Sequence, residues 1–297
     1  MIIDVHTHLI SEEQKKFKKF FKIGKFGVNE LLKAMDREGI DKSVVLPLEN
    51  PENIYILAAA GNFEVIKACR KHPDRLIPFC CLDPRNFLNS PKADLSEYIK
   101  IYKEEGFAGI GEICASLPIE DKRYKNLFHH ASVNKMPMLF HFAGKKFGTY
   151  GIYDKLNLPG LEKTLKEFPD AVFIGHSAAF WGEIDGDLTE KERDGYRRSP
   201  IKKKGSLWKL LEKHPNLYAD MSAGSGNIAL SRDPKRSVEF IEKFSGQILF
   251  GSDRFIGKND PRAKDNIDLL NRYLTEKKIS KTSYDSIMYK NFKNLIN

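Results

Sequence analysis

Met1-Ile-Ile-Asp-Val-His-Thr-His8 opens the chain, and the rest is read outward from it. Ile2, Ile3 and Val5 read as a short buried β-strand that begins immediately. In a strand, residues i and i+2 point to the same side, so His6 and His8 share a face. Two imidazoles at the end of an apolar strand can grip one cation. The alternative is two neighbouring histidines with structural roles, and a pattern this short needs context from elsewhere in the chain.

That context is a rhythm. Helix Asn29–Glu38 precedes strand Lys42–Leu48, and helix Ile54–Lys71 precedes strand Leu76–Cys81. Helix Asp94–Glu105, strand Ala108–Ile113, helix Lys122–Asn134 and strand Pro137–Phe142 follow. Then come helix Leu161–Phe168, strand Ala171–Gly175, helix Ser206–Lys213, strand Leu217–Met221, helix Lys235–Phe244 and strand Ile248–Phe250. Helices near Arg262–Thr275 and Ser283–Leu295 close the chain. Short apolar strands alternating with helices imply parallel βα units. Eight of them in 297 residues imply an α/β fold, a single (β/α)8 TIM barrel spanning residues 1–297, with no linker to split off a second domain.

In such a barrel the chemistry sits at the carboxyl ends of the strands. Those ends carry His6 and His8 on the first strand and Glu112 in Gly-Ile-Gly-Glu112 on the fourth. The fifth ends Met-Leu-Phe-His141, the sixth Phe-Ile-Gly-His176, and the eighth Leu-Phe-Gly-Ser-Asp253. A lone histidine at a strand end is usually a hydrogen-bonded structural residue. Six metal-competent side chains at one end of one architecture form a metal site.

The opening Ile-Asp-Val-His-Thr-His8, the histidines of strands five and six, Gly-Ser-Asp253 and the closing Ile-Met-Tyr-Lys-Asn-Phe292 resemble the amidohydrolase superfamily. The similarity is to its amidohydrolase-related (amidohydrolase 2) branch of lactonases, other hydrolases and non-oxidative decarboxylases, and it covers essentially the whole chain. By this resemblance His141 is a metal ligand, and His176 is either a second ligand or a polariser of the scissile carbonyl. Glu112 departs from the pattern, because mononuclear decarboxylases of the branch generally lack a ligand on strand four. It implies a hydrolase with a binuclear site, or else an acid lying behind the ligands.

Imidazoles and carboxylates with an open position suit a catalytic Zn²⁺, one ion or two, with Mn²⁺ or another divalent ion as the alternative. Such an ion polarises a carbonyl and activates water. Asp253 is expected to ligate it, take a proton from that water and return it to the leaving group. Asp4 shares the phase of His6 and His8 but sits deeper, and is expected to orient them.

Recognition of the substrate is expected from Arg85 in Leu-Asp-Pro-Arg85, Trp181 and Arg254, all on top loops. Arginine suits bidentate carboxylate binding, which points to a carboxylated small molecule. Ser222–Gly226 (Ser-Ala-Gly-Ser-Gly) reads as a flexible top loop, without the Gly-Lys-Ser/Thr ending of a phosphate-binding loop. Ala178–Gly205 is a long irregular piece of the kind that carries function. Between Ser11 and Gly27, Phe17, Phe20 and Phe21 fall at i, i+3, i+4 among lysines. This stretch is read as a lid over the histidines in preference to a membrane-surface helix.

A net charge of +9 raises nucleic acid as a partner, but the lysines are scattered and no recognition motif accompanies them, so a solvated surface is expected. No apolar run approaches the ~20 residues of a membrane span, and no secretory signal pattern opens the sequence. Cys69, Cys80, Cys81 and Cys114 lack Cys-x-x-Cys spacing and read as reduced thiols of a cytoplasmic protein. Barrels of this kind often associate, and a homo-oligomer is left open, since no sequence feature establishes it. The expected function is a metal-dependent hydrolase of an amide or lactone bond. The alternatives are a non-oxidative decarboxylase of an aromatic or unsaturated acid, and a non-catalytic binding protein that retains the metal site.

Overall fold

The short apolar runs form parallel strands because each is buried on both faces and each is followed by a helix that returns the chain to the start of the next. The computed structural model describes all residues except 15–18, 20–25, 54–57, 146–148, 256–259 and 297. The expected lid residues Phe17, Phe20 and Phe21 lie outside the described residues. Among the described residues eight strands make up the ring, in order: β1 (Ile3–Thr7), β2 (Lys42–Val45), β3 (Leu76–Pro78), β4 (Ile110–Ile113), β5 (Met138–Ala143), β6 (Phe173–His176), β7 (Leu217–Asp220) and β8 (Ile248–Leu249).

β1, β2 and β3 pair in sequence order, as do β4 to β8. Two further sets of bonds join these sheets. Cys80 N–H donates to Gly109 O (2.9 Å) and Gly111 N–H to Cys80 O (2.7 Å), linking the ends of β3 and β4. Val5 N–H donates to Phe250 O (3.0 Å), Asp253 N–H to His6 O (2.8 Å) and His8 N–H to Arg254 O (2.9 Å), linking β8 to β1. The ladder therefore runs around a closed ring, the expected TIM barrel.

Ile3, Val5, Val44, Leu46, Leu139, Ile174 and Leu249 form one apolar cluster within the ring, joined by Phe79 and by Phe292 from the last helix. A larger cluster lies between strands and helices. The helices follow their sequence logic. Val28–Glu38 (α1) buries Leu31, Ala34 and Met35 on one face, and the Glu30 carboxylate accepts from Gly27 N–H at its start (3.0 Å). It ends at Gly39, whose φ of 69° only glycine adopts without strain.

Three segments differ from expectation. Of the helix expected over Ile54–Lys71, the described residues are helical over Asn62–Lys71 (α2), and residues 54–57 lie outside the described residues. Ala58–Gly61 is spent on backbone contacts instead, with Ser11 N–H donating to Ala58 O and Ala60 N–H to Leu9 O, and Glu64 caps the helix start by accepting from Gly61 N–H. Ala178–Gly205 opens with a short helix, Ala178–Trp181, and a 3₁₀ turn, Gly182–Ile184, before turning irregular. Ser222–Gly226 is not a free loop, because Ala223–Ser231 is a helix with Ser222 at its N-cap. A two-residue strand, Ile152–Tyr153, beside β5 was also unforeseen. Among the described residues no helix is long and apolar enough to cross a membrane.

Candidate metal centre

β1 delivers His6 and His8 to the mouth of the ring, but not by simple alternation from Asp4. The β1–β2 register slips between Asp4 and Thr7. Asp4 consequently turns toward β8, accepting from Ser252 N–H (2.9 Å) and Ser252 Oγ–H (2.6 Å) as well as from His6 backbone N–H (3.1 Å). It holds the strand ends together and does not touch the imidazoles, which corrects the expectation that it orients them.

Other acceptors orient the rings. His8 Nδ1 lies 2.8 Å from Leu46 O, which only accepts, so Nδ1 carries the proton. His6 Nδ1 lies 2.6 Å from Asp220 Oδ2. With both Nδ1 atoms donating, the neutral rings face each other through Nε2 lone pairs 3.0 Å apart. Two lone pairs at that separation require a cation or a proton between them. Glu112 Oε2 lies 3.6 and 3.5 Å from the two Nε2 atoms, and Asp253 Oδ1 lies 3.6 and 3.5 Å from them. Ligands 2.0–2.1 Å from a tetrahedral ion are about 3.3 Å apart, so His6, His8 and Glu112 are spaced to hold a divalent cation, with Asp253 at a similar distance from the two imidazoles.

Glu112 faces two ways. Its Oε1 accepts from His141 Nδ1–H at 2.8 Å while Oε2 faces the β1 pair. His176 stands behind, its ring 4.5 Å from that of His6 and 5.3 Å from that of His141. Ser222 Oγ donates to Asp220 Oδ2 (2.8 Å), leaving its oxygen to accept from His176 Nδ1–H (2.8 Å). His176 Nε2 is therefore the ring nitrogen with a free lone pair.

These groups shift one another's protonation. Burial works against a charged His6, but Asp220 and Glu112 outweigh it and raise its pKa well above the ordinary value. His8 is raised against the same burial, by Asp253 and Glu112. Burial alone would raise Glu112, yet His6, His141 and His8 hold it well below the usual carboxylate range. Asp253 is likewise held low against burial, by His8, His6 and Arg262. Burial and the neighbouring His6 lower His176 to about 4, so its ring is neutral at pH 7.

Sequence reasoning missed four contributors. Asp220, fully buried at the end of β7, closes Leu-Tyr-Ala-Asp220, and the strand-end rule used elsewhere finds it. Gly251 makes room for it, since a Cβ there would stand 2.4 Å from Asp220 Oδ1. Ser222 links it to His176. Arg262 donates to Asp253 Oδ2 at 2.9 Å and carries no local signal in the sequence. Tyr196 comes from the long loop after β6. With Tyr150 and Asp194 it walls a cavity of about 210 Å³ over His141, His176 and Asp253.

The three expected substrate contacts stand apart from this convergence. Arg85 is spent on bidentate pairs with Asp83 and Glu52. Trp181 is buried and donates its indole N–H to the Asp220 backbone carbonyl (2.7 Å), holding the main chain of the residue whose carboxylate orients His6. Arg254 is buried against Glu38 (2.5 Å). A loop position near the barrel mouth does not decide which way a side chain turns, and each turns to an internal carboxylate or carbonyl.

No protein-family model matches the chain, and no curated protein sequence matches it. Solved structures share its fold over nearly its full length. An uncharacterized TIM-barrel protein from Bordetella bronchiseptica superposes with a TM-score of 0.66 at 15% identity, covering 99% of this chain and 97% of that one. A probable 2-pyrone-4,6-dicarboxylic acid hydrolase from Acinetobacter baumannii, with citric acid bound, gives 0.62 at 14% identity over 99% and 98%. A dihydroxybenzoic acid decarboxylase from Polaromonas sp., with bound manganese and the inhibitor 2-nitroresorcinol, gives 0.57 at 13% identity over 99% and 96%.

Proposed function

We propose that this chain is a metal-dependent hydrolase of the amidohydrolase superfamily, cleaving an amide or lactone bond of a small, carboxylated molecule. The observation that carries the reading is the facing pair of Nε2 lone pairs on His6 and His8, closed by Glu112 and Asp253. His6, His8, Glu112 and Asp253 would hold one divalent ion, with His141, His176 and the second oxygen of Glu112 available to another. Zn²⁺ fits the nitrogen and carboxylate donors, and the manganese of the decarboxylase neighbour supports Mn²⁺ as the alternative. Such an ion supplies polarisation of the scissile carbonyl and acidification of the attacking water.

The chain supplies the rest. Asp253 is kept ionised, and Oδ1 faces the ligand nitrogens while Arg262 holds Oδ2. Its carboxylate takes the proton of the attacking water and returns it to the leaving nitrogen or oxygen. His176 has its proton on Nδ1, so its Nε2 cannot donate to a carbonyl. That tautomer suits a ligand better than a polariser. The Ser222–Asp220 pair fixes it.

Decarboxylation is the second reading, supported by the manganese-bound decarboxylase of the same fold. Metal analysis of the purified protein and of Glu112→Ala separates the two. Two ions falling to one, with loss of lactone or amide turnover, supports hydrolysis. One ion unaffected by the change moves the assignment to decarboxylation.

A further inference from the structure

A second cavity, of about 20 Å³, lies beside the one over the metal centre, and Ala178, Tyr196 and Ser225 wall both. Arg197 and Arg232 line it but not the cavity over the metal centre. Asp185, fully buried, lies 3.5 Å from Arg197 Nε and 3.2 Å from Arg232 Nη2, so one carboxylate is shared by two guanidinium groups. Glu192 lies 3.8 Å from Arg197 but is exposed to solvent, where its charge is screened. Arg232 has only 4% of its side chain exposed, and its other nitrogens are engaged. Nη1 donates to Arg197 O (3.2 Å) and Ser199 O (3.0 Å), and Nη2 to Asp185. Its Nε is buried without a hydrogen-bond partner, and so is Arg197 Nη1, whose 3.8 Å approach to Glu192 is too long for a hydrogen bond. A buried N–H of a charged group left unpaired is costly, and native structures seldom leave one so without a reason.

We propose that Arg197 and Arg232 form an anion subsite that takes the distal carboxylate of a substrate whose reacting end lies at the metal centre. The proposal rests on the hydrolase reading for the reacting end, and names the class as small acids carrying a carboxylate away from the scissile bond. The cavity volume admits a group of carboxylate or chloride size and little more. Two arginines converging on one planar anion match the geometry guanidinium recognises best. The three shared lining residues place the two cavities side by side, and on this proposal the bound molecule spans both past Tyr196.

Titration calorimetry of the full chain, zinc-loaded and zinc-free, with butyrate and with succinate, glutarate and adipate tests this. In the zinc-loaded protein, at least one dicarboxylate binds tenfold or more tighter than butyrate. Arg232→Met and Arg197→Met each abolish that advantage, and Arg232→Lys restores part of it. Arg197→Met, on an irregular loop, keeps the test open if Arg232→Met does not fold. An equal affinity for mono- and dicarboxylates, or an advantage that survives both substitutions, overturns the subsite. The zinc-free arm separates the two readings. Arginine-dependent binding of butyrate by a protein that takes up no zinc keeps the subsite and removes the metal reading. Zinc uptake with no arginine-dependent binding does the reverse.

Discussion

His6 Nε2 and His8 Nε2 face each other at 3.0 Å, each ring turned into place by an acceptor on its other nitrogen. Asp220 and the Leu46 carbonyl thus decide where the lone pairs point. Without an ion, the surrounding carboxylates raise both histidine pKa values, so a proton takes the cation's place.

Metal and proton therefore compete. A raised pKa favours the protonated pair in the metal-free protein near neutrality, so zinc uptake at pH 7 should release about one proton. Calorimetry in two buffers of different ionisation enthalpy measures it. The stability the proton brings is full below the unfolded histidine value of ~6.5 and fades as pH rises through the raised folded value. The thermal shift produced by zinc should accordingly be larger at pH 8 than at pH 6. Equal shifts would remove the proton from the site.

Asp220→Asn keeps the shape and removes the charge behind His6. Metal affinity should fall ~10–100-fold, the usual effect of losing an acceptor behind a ligating histidine. Competition with a chelator of known affinity measures the change, and no loss would mean that His6 holds its orientation unaided.

Asp253→Asn leaves an oxygen near the ligand nitrogens but cannot take a proton. Turnover of a responsive lactone or amide should fall by ~10²–10⁴ while bound metal persists. Unchanged turnover would exclude Asp253 from proton transfer.

Arg254 and Glu38 form a buried pair, 1% and 7% of their side chains exposed. Glu38→Gln leaves the guanidinium charge without its counter-ion and should destabilise the protein by about 3–5 kcal/mol. Urea unfolding reads this loss. A change in KM with unaltered stability would return Arg254 to the substrate.

The six strand-end side chains, His6, His8, Glu112, His141, His176 and Asp253, were legible because the barrel puts every strand's carboxyl end on one face. Position along an apolar run was enough to name them. Asp220 obeyed the same rule and was overlooked. Arg262 could not be found this way, because it reaches Asp253 from the start of a helix, where nothing in the local pattern marks direction. Trp181, Arg85 and Arg254 show the converse. Each follows a strand, yet each side chain is committed inward by a hydrogen-bonding partner distant in sequence.

The sequence by itself determined the alternation of strand and helix, the barrel, and which residue types crowd its mouth, because burial period and turn chemistry are local properties. Only the tertiary structure decided how those residues meet. It set the register slip that turns Asp4 away, the acceptors that aim His6 and His8, the two-way Glu112, and the arginine pair around Asp185. Ring orientation and unpaired charge depend on which distant groups close the contact, and that is fixed only when the ring of strands is complete.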